Sequence, residues 1–150
     1  MHKSAEHAYQ YAKAQQAGKN VIAERILQAR SAHQAKIEAK ALPYNPNWAQ
    51  RKESVMTEVL EEKIKNCKDF CDELMNADKM IAEGVPGDMY WSTGLTQEQS
   101  LLVKKSSWPG KNIMGKLLSD LRENYKKKVK QNKLSQKTYR NQQSDETDSE

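Results

Sequence analysis

Read for the spacing of its apolar positions, the chain resolves into short helices separated by glycine, proline and asparagine. Ser4 suits an N-cap, Glu6 complements the positive end of a helix dipole and Gly18 suits a stop, which predicts a first helix over 5–17. The stretch "NVIAERILQAR" predicts a second, with Asn20 as cap and Val21, Ile22, Ile26 and Ala29 on one face. A third is expected around 31–41, ending before Pro43. In "PYNPNW", Asn45 can cap a helix with Pro46 at its first position. That helix has the strongest periodicity in the chain, since Trp48, Val55, Val59, Leu60, Ile64 and Cys67 recur at threes, fours and sevens. Phe70, Cys71, Leu74 and Met75 predict another short helix, and "KMIAEG" reads as a brief strand. A glycine-rich loop follows, then a weak helical stretch at 97–104. The last helix starts near Asn112, with Ile113, Leu117, Leu118 and Leu121 inward. Past about residue 128 apolar residues nearly vanish, so disorder is expected there. The expected class is α+β, mainly α-helical, with very little strand.

Composition narrows this picture. Of 150 residues, 37% are hydrophobic and 30% charged, with a mean hydropathy of -0.98, which implies one domain with a modest core and solvated segments. No apolar run approaches the ~18 residues of a membrane span, and the N-terminus has no apolar signal core, so an intracellular protein, cytoplasmic or nuclear, with no membrane partner is expected. Cys67 and Cys71 are four apart rather than in a C-x-x-C pair, and only His2, His7 and His33 accompany them, so neither a metal nor another cofactor is expected. The net charge of +5 is concentrated near the C-terminus: residues 123–140 carry seven Lys or Arg against one Glu, and residues 141–150 carry four acids. A run of this kind is commonly a solvated tail, but it also permits nonspecific nucleic-acid contact through 126–140.

Three stretches could carry chemistry. Glu6, Gln10 and Lys13 place an acid, an amide and an amine on one stripe of the first helix, although a plain solvated stripe has the same pattern. The loop "GVPGDMYWSTGL" at 84–95 sets Asp88 beside Tyr90 and Trp91 among three glycines. Such a loop can bring backbone close to a ligand and offer rings for stacking, or it can be an ordinary turn with an anchoring Trp. "WPGKN" at 108–112 puts Gly110 and Lys111 just before a helix N-terminus, where free N–H groups and a cation would suit a phosphate. It is not a Walker A loop.

Together, "SAEHAYQYAKA" (4–14), "NWAQRKESVM" (47–56), "AEGVPGDMYWSTGL" (82–95) and "WPGKNIMGKLLSDLRE" (108–123) resemble, in order and spacing, the NADAR family. That family includes N-glycosidases of early riboflavin-pathway intermediates and hydrolases that remove ADP-ribose from guanine bases. The resemblance covers roughly residues 1–125, leaving 126–150 as a charged tail. It implies a pocket in which Glu6, Asp88 and Trp91 are catalytic. It further implies ligand-binding roles for His7, Gln10, Lys13, Lys52, Glu83, Tyr90, Gly94, Gly110, Lys111 and Asn112. The implied activity is hydrolysis of the bond between a ribose phosphate or ADP-ribose and a base, with a ribosylated base, ADP-ribose or a NAD-like molecule as partner. The alternative is an impaired module that binds such ligands, or nucleic acid, without turnover.

The sequence departs from the family pattern in three places. The Glu-His helix opens almost at the chain's start, so a domain truncated at its N-terminus, lacking an S-N-F-like segment, is expected. Ser92 stands where the loop usually has Gly, and "AKIEAKAL" at 35–42 lacks the usual Gly-Arg.

Overall fold

The computed structural model describes residues 2–147, with side chains described through residue 140. The chain divides into two compact units that meet in sequence at Cys71 and Asp72. The first holds α1 (Ala5–Gln16), α2 (Asn20–Gln28), α3 (Ala32–Glu38), a 3-10 turn at Ala39–Ala41 and α4 (Pro46–Asn66). Helix α5 (Lys68–Asn76) begins in the first unit and ends in the second. The second continues with α6 (Gln97–Leu102), a 3-10 turn at Lys105–Ser107 and α7 (Ile113–Thr147).

Local chemistry explains the starts of these helices. The Ser4 hydroxyl accepts from the His7 N–H and opens α1; Ser31 does the same for α3 through Gln34. Asn45 caps α4 with Pro46 directly behind it, as the sequence predicts. Thr96 and Gln99 form a reciprocal capping box on α6. Asn20 proves to be the first residue of α2 rather than its cap, and Val21 points outward.

The first unit packs α1 against α2, α3 and α4. Part of its core is almost all alanine: Ala14, Ala23, Ala29, Ala35 and Ala39 surround Ile26, with Tyr11, Ile22 and Leu42 at the edge. Small side chains let the short helices approach closely, so the cluster is shaped by backbone proximity more than by bulk. On α4, Trp48, Val55, Met56, Leu60 and Ile64 are buried, and Trp48 meets Tyr9 of α1 at 5.2 Å between ring centres. Cys67, expected on the inward face, is exposed.

Two expectations give way. No strand forms among the described residues, only an isolated parallel bridge between Pro86 and Gly94. The segment "KMIAEG" lacks a partner strand and instead pairs with the side chain of Asn112, through the carbonyl of Ile81 and the N–H of Glu83. Beyond residue 128, where disorder is expected, α7 instead continues as helix to Thr147. Lys and Gln are the most frequent residues of that stretch, and their unbranched side chains lose little freedom in a helix, which supports it without an apolar face. Residues 148–150 lie outside the described residues. No helix among the described residues is long and apolar enough to cross a membrane.

Candidate functional site

In the first unit, Glu6 and Gln10 share one side of α1, and the Gln10 amide donates to Glu6 Oε1 at 2.6 Å. A carboxylate oxygen only accepts, so this bond orients the amide with its NH2 toward Glu6. Gln10 is 6% exposed, and its Oε1 has no protein donor. Lys13 continues the stripe half-buried. Burial pushes its ammonium pKa below the ordinary 10.5; the nearby Glu6 opposes that shift and Lys52 adds to it. The four side chains thus form one electrostatic group of acid, amide and two amines.

His7, expected among the ligand-binding residues, is held inside the fold. It is 2% exposed, with Nδ1 2.7 Å from Ser4 Oγ and Nε2 3.1 Å from the Ala29 carbonyl. A carbonyl only accepts, so Nε2 carries the proton and, in the neutral ring, Nδ1 accepts from Ser4. Both nitrogens are spent on tying α1 to the end of α2. A groove of about 700 Å³ in this unit also lies away from the chemistry. It is lined by Ala5, Ala8, Ala12, Val55 and Val59 among others. At ~100° per residue those alanines occupy the side of α1 opposite Glu6, Gln10 and Lys13.

In the second unit the glycine-rich loop is fixed from within and from below. Asp88 Oδ1 accepts from the N–H groups of Tyr90 and Trp91 at 3.1 and 2.9 Å, an Asx-type turn that sets the direction of the carboxylate. Tyr90 and Trp91 meet edge to face at 5.1 Å, and Lys111 Nζ stands 5.6 Å over the Tyr90 ring. Gly94 adopts φ 81°, a left-handed conformation that favours glycine.

The segment expected to cradle a phosphate does something else. The N–H groups of Gly110, Lys111, Asn112, Ile113 and Met114 donate to the carbonyls of Thr93, Met89, Ser92, Tyr90 and Trp91 respectively, at 2.8 to 3.1 Å. Five consecutive donors leading into α7 are therefore used to hold the loop. Gly110 is required because a Cβ there would run into the Ser92 carbonyl oxygen. Asn112, at φ 49° and 4% exposed, holds Ile81 and Glu83 with its amide. Gly110 and Asn112 thus act on the loop's backbone, and only the Lys111 side chain remains as an exposed cation.

Ser92, notable in the sequence only as a departure from glycine, is fully buried at the centre of this arrangement. Its hydroxyl accepts from the N–H groups of Val85 and Gly94 and donates toward the carbonyls of Glu83 and Val85. Thr93, equally buried, binds Ser100 of α6, whose carbonyl accepts from the Trp108 indole. Two adjacent hydroxyl residues within a loop of glycines were the available sequence signal for these positions. Among the described residues no three His, Cys, Asp or Glu side chains converge in a metal-binding cluster.

The helical first unit with its carboxylate–amide pair, and the clamped acidic-aromatic loop of the second, carry the motif blocks that define a family. The chain belongs to the NADAR family: the NADAR domain model matches residues 1–126. It is similar to N-glycosidase R617 of Acanthamoeba polyphaga mimivirus, with 35% identity over 82 residues. That match takes in 53% of this chain and 48% of the viral protein, so it spans about half the relative's length.

Proposed function

We propose that this chain is an N-glycosidase, hydrolysing the bond between a ribose phosphate or ADP-ribose and a base. The observation that carries the reading is the Glu6–Gln10 pair, a carboxylate held at 2.6 Å by an amide whose buried carbonyl has no protein donor. Similarity to a protein named as an N-glycosidase supports it. In such a reaction the C1′–N bond breaks as positive charge builds on the ribose, and water adds at C1′. Glu6 is assigned to accept the proton from that water, while the departing base nitrogen takes up a proton from solvent or an acid. Gln10 fixes the carboxylate through its amide N–H. Lys13 and Lys52 supply positive charge suited to a phosphate. In the loop, Trp91 and Tyr90 offer surfaces for stacking a planar base. Asp88, with one oxygen anchored by backbone, is assigned to orient a ribose hydroxyl or water.

The test is chromatographic detection of free base after incubating the protein with ADP-ribosyl-guanine nucleic acid and, separately, with a ribosylaminopyrimidine phosphate. Glu6→Gln is expected to lower kcat about 10²–10⁴-fold, with an unchanged circular dichroism spectrum. A folded wild type that releases no base from either substrate refutes the assignment. ADP-ribose binding by calorimetry without turnover would instead identify a binding module.

A further inference from the structure

Helix α7 extends a charged surface that the catalytic reading does not use. Between residues 126 and 140 there are seven Lys or Arg and no acid, and every side chain in that span is exposed. Because the span is helical, the cations have a register. Lys126, Lys130, Lys133 and Lys137 stand at i, i+4, i+7 and i+11, which gathers them within an arc of about 60°. Arg140, at i+14, keeps the same register. The four lysines extend over roughly 16 Å of helix axis.

The remaining faces discriminate among anionic partners. A helix that lies on a lipid surface needs an apolar side opposite its cations. Here the opposite side carries Lys128, Gln131, Ser135 and Tyr139, with Lys127 and Thr138 on one flank, while Val129 and Leu134 are about 140° apart and form no stripe. A rigid line of lysines on a polar helix instead matches the backbone of duplex nucleic acid, which presents one negative charge per ~1.7 Å of axis. Its major groove, about 12 Å wide, admits an α-helix. No base-reading arrangement accompanies the lysines, so the contact is to phosphates and independent of sequence.

We propose that the Lys126–Lys130–Lys133–Lys137 face of α7 docks on the phosphate backbone of duplex nucleic acid. This assignment is independent of the N-glycosidase reading, because it concerns residues with no role in that chemistry. The test is fluorescence anisotropy of the full chain with a labelled DNA duplex of ~20 base pairs over a salt series, with phosphatidylserine-containing vesicles as the competing anion. Four phosphate contacts predict a slope of log K against log salt of about -3.6, a loss of about 150-fold between 50 and 200 mM. The variant K126Q/K130Q/K133Q/K137Q is expected to abolish that salt-dependent binding. A second variant keeps the net charge but scatters the face: K130Q with Q131K, K133N with N132K, and K137Q with Q136K. It should bind at least ten-fold more weakly than wild type, with equal helix content by circular dichroism. No binding at low salt, equal binding by the scattered variant, or binding to vesicles but not to DNA would each overturn the proposal.

Discussion

Replacing Asn112 tests whether it is a ligand group or a backbone clamp. Its Nδ2 donates to the Ile81 carbonyl at 2.9 Å and its Oδ1 accepts from the Glu83 N–H at 3.1 Å, in a setting 4% exposed. Asn112→Ala removes both bonds, at about 1 kcal/mol each. It also places alanine at φ 49°, which costs a further 1–2 kcal/mol or so. The expected loss is therefore about 3–4 kcal/mol, a large share of a typical ~5–15. Asn112→Gly loses the same two bonds without the left-handed penalty, so it should lie about 1 kcal/mol above the alanine variant. Asn112→Asp keeps an acceptor for Glu83 but sets a carboxylate against the Ile81 carbonyl, and should be no better than glycine. Urea titrations followed by tryptophan fluorescence read all three, since Trp91 and Trp108 report from the same unit. An alanine variant within about 0.5 kcal/mol of wild type would refute the clamp. Unchanged stability with a raised KM would return Asn112 to the ligand.

Two further outcomes follow from packing and charge. Gly110→Ala would push a Cβ onto the Ser92 carbonyl oxygen and within 2.7 Å of the Thr93 carbonyl carbon, both backbone, so a loss of about 3 kcal/mol and a lower urea midpoint are expected. Lys13 has a folded pKa below its ordinary 10.5, so the unfolded chain holds that proton more tightly and stability rises with pH through the interval below 10.5. Below that interval the full penalty applies. Lys13→Met should therefore raise the urea midpoint at neutral pH and remove Lys13's part of the rise; a variant less stable than wild type at neutral pH would contradict the burial of that charge.

The helices were legible because their signals are local. Ser4 and Asn45–Pro46 act on residues two or three positions away, and the α4 periodicity from Trp48 to Ile64 needs no knowledge of what packs against it. The errors arise where the deciding partner is distant in sequence. "KMIAEG" has the composition of a strand, but its pairing is with a side chain 29 to 31 residues later, which no local pattern reveals. Sequence likewise cannot show that the Ala29 carbonyl, 22 residues on, takes the second nitrogen of His7. The basic stretch looked disordered because a hydrophobic criterion ignores helix propensity, and its four-lysine register emerges only once the helix is present.

The same contrast bears on how an anionic ligand would be held near the loop. A glycine-lysine pair before a helix normally suggests that backbone N–H groups grip a phosphate. Here the donors from Gly110 to Met114 are already matched to the carbonyls from Met89 to Thr93, a pairing that also leaves those five carbonyls satisfied. Releasing the donors for a phosphate would unpair as many acceptors, those of Ser92 and Thr93 in buried residues, at about 1 kcal/mol or more apiece, so the exchange is unfavourable. In the proposed reading, anion recognition at the loop therefore rests on side-chain charge, and Lys111, whose Nζ lies 5.6 Å over the Tyr90 ring, is the group assigned to it. The helix start instead serves rigidity: it holds the backbone that presents Asp88, Tyr90 and Trp91, which is what a loop rich in glycine would otherwise lack.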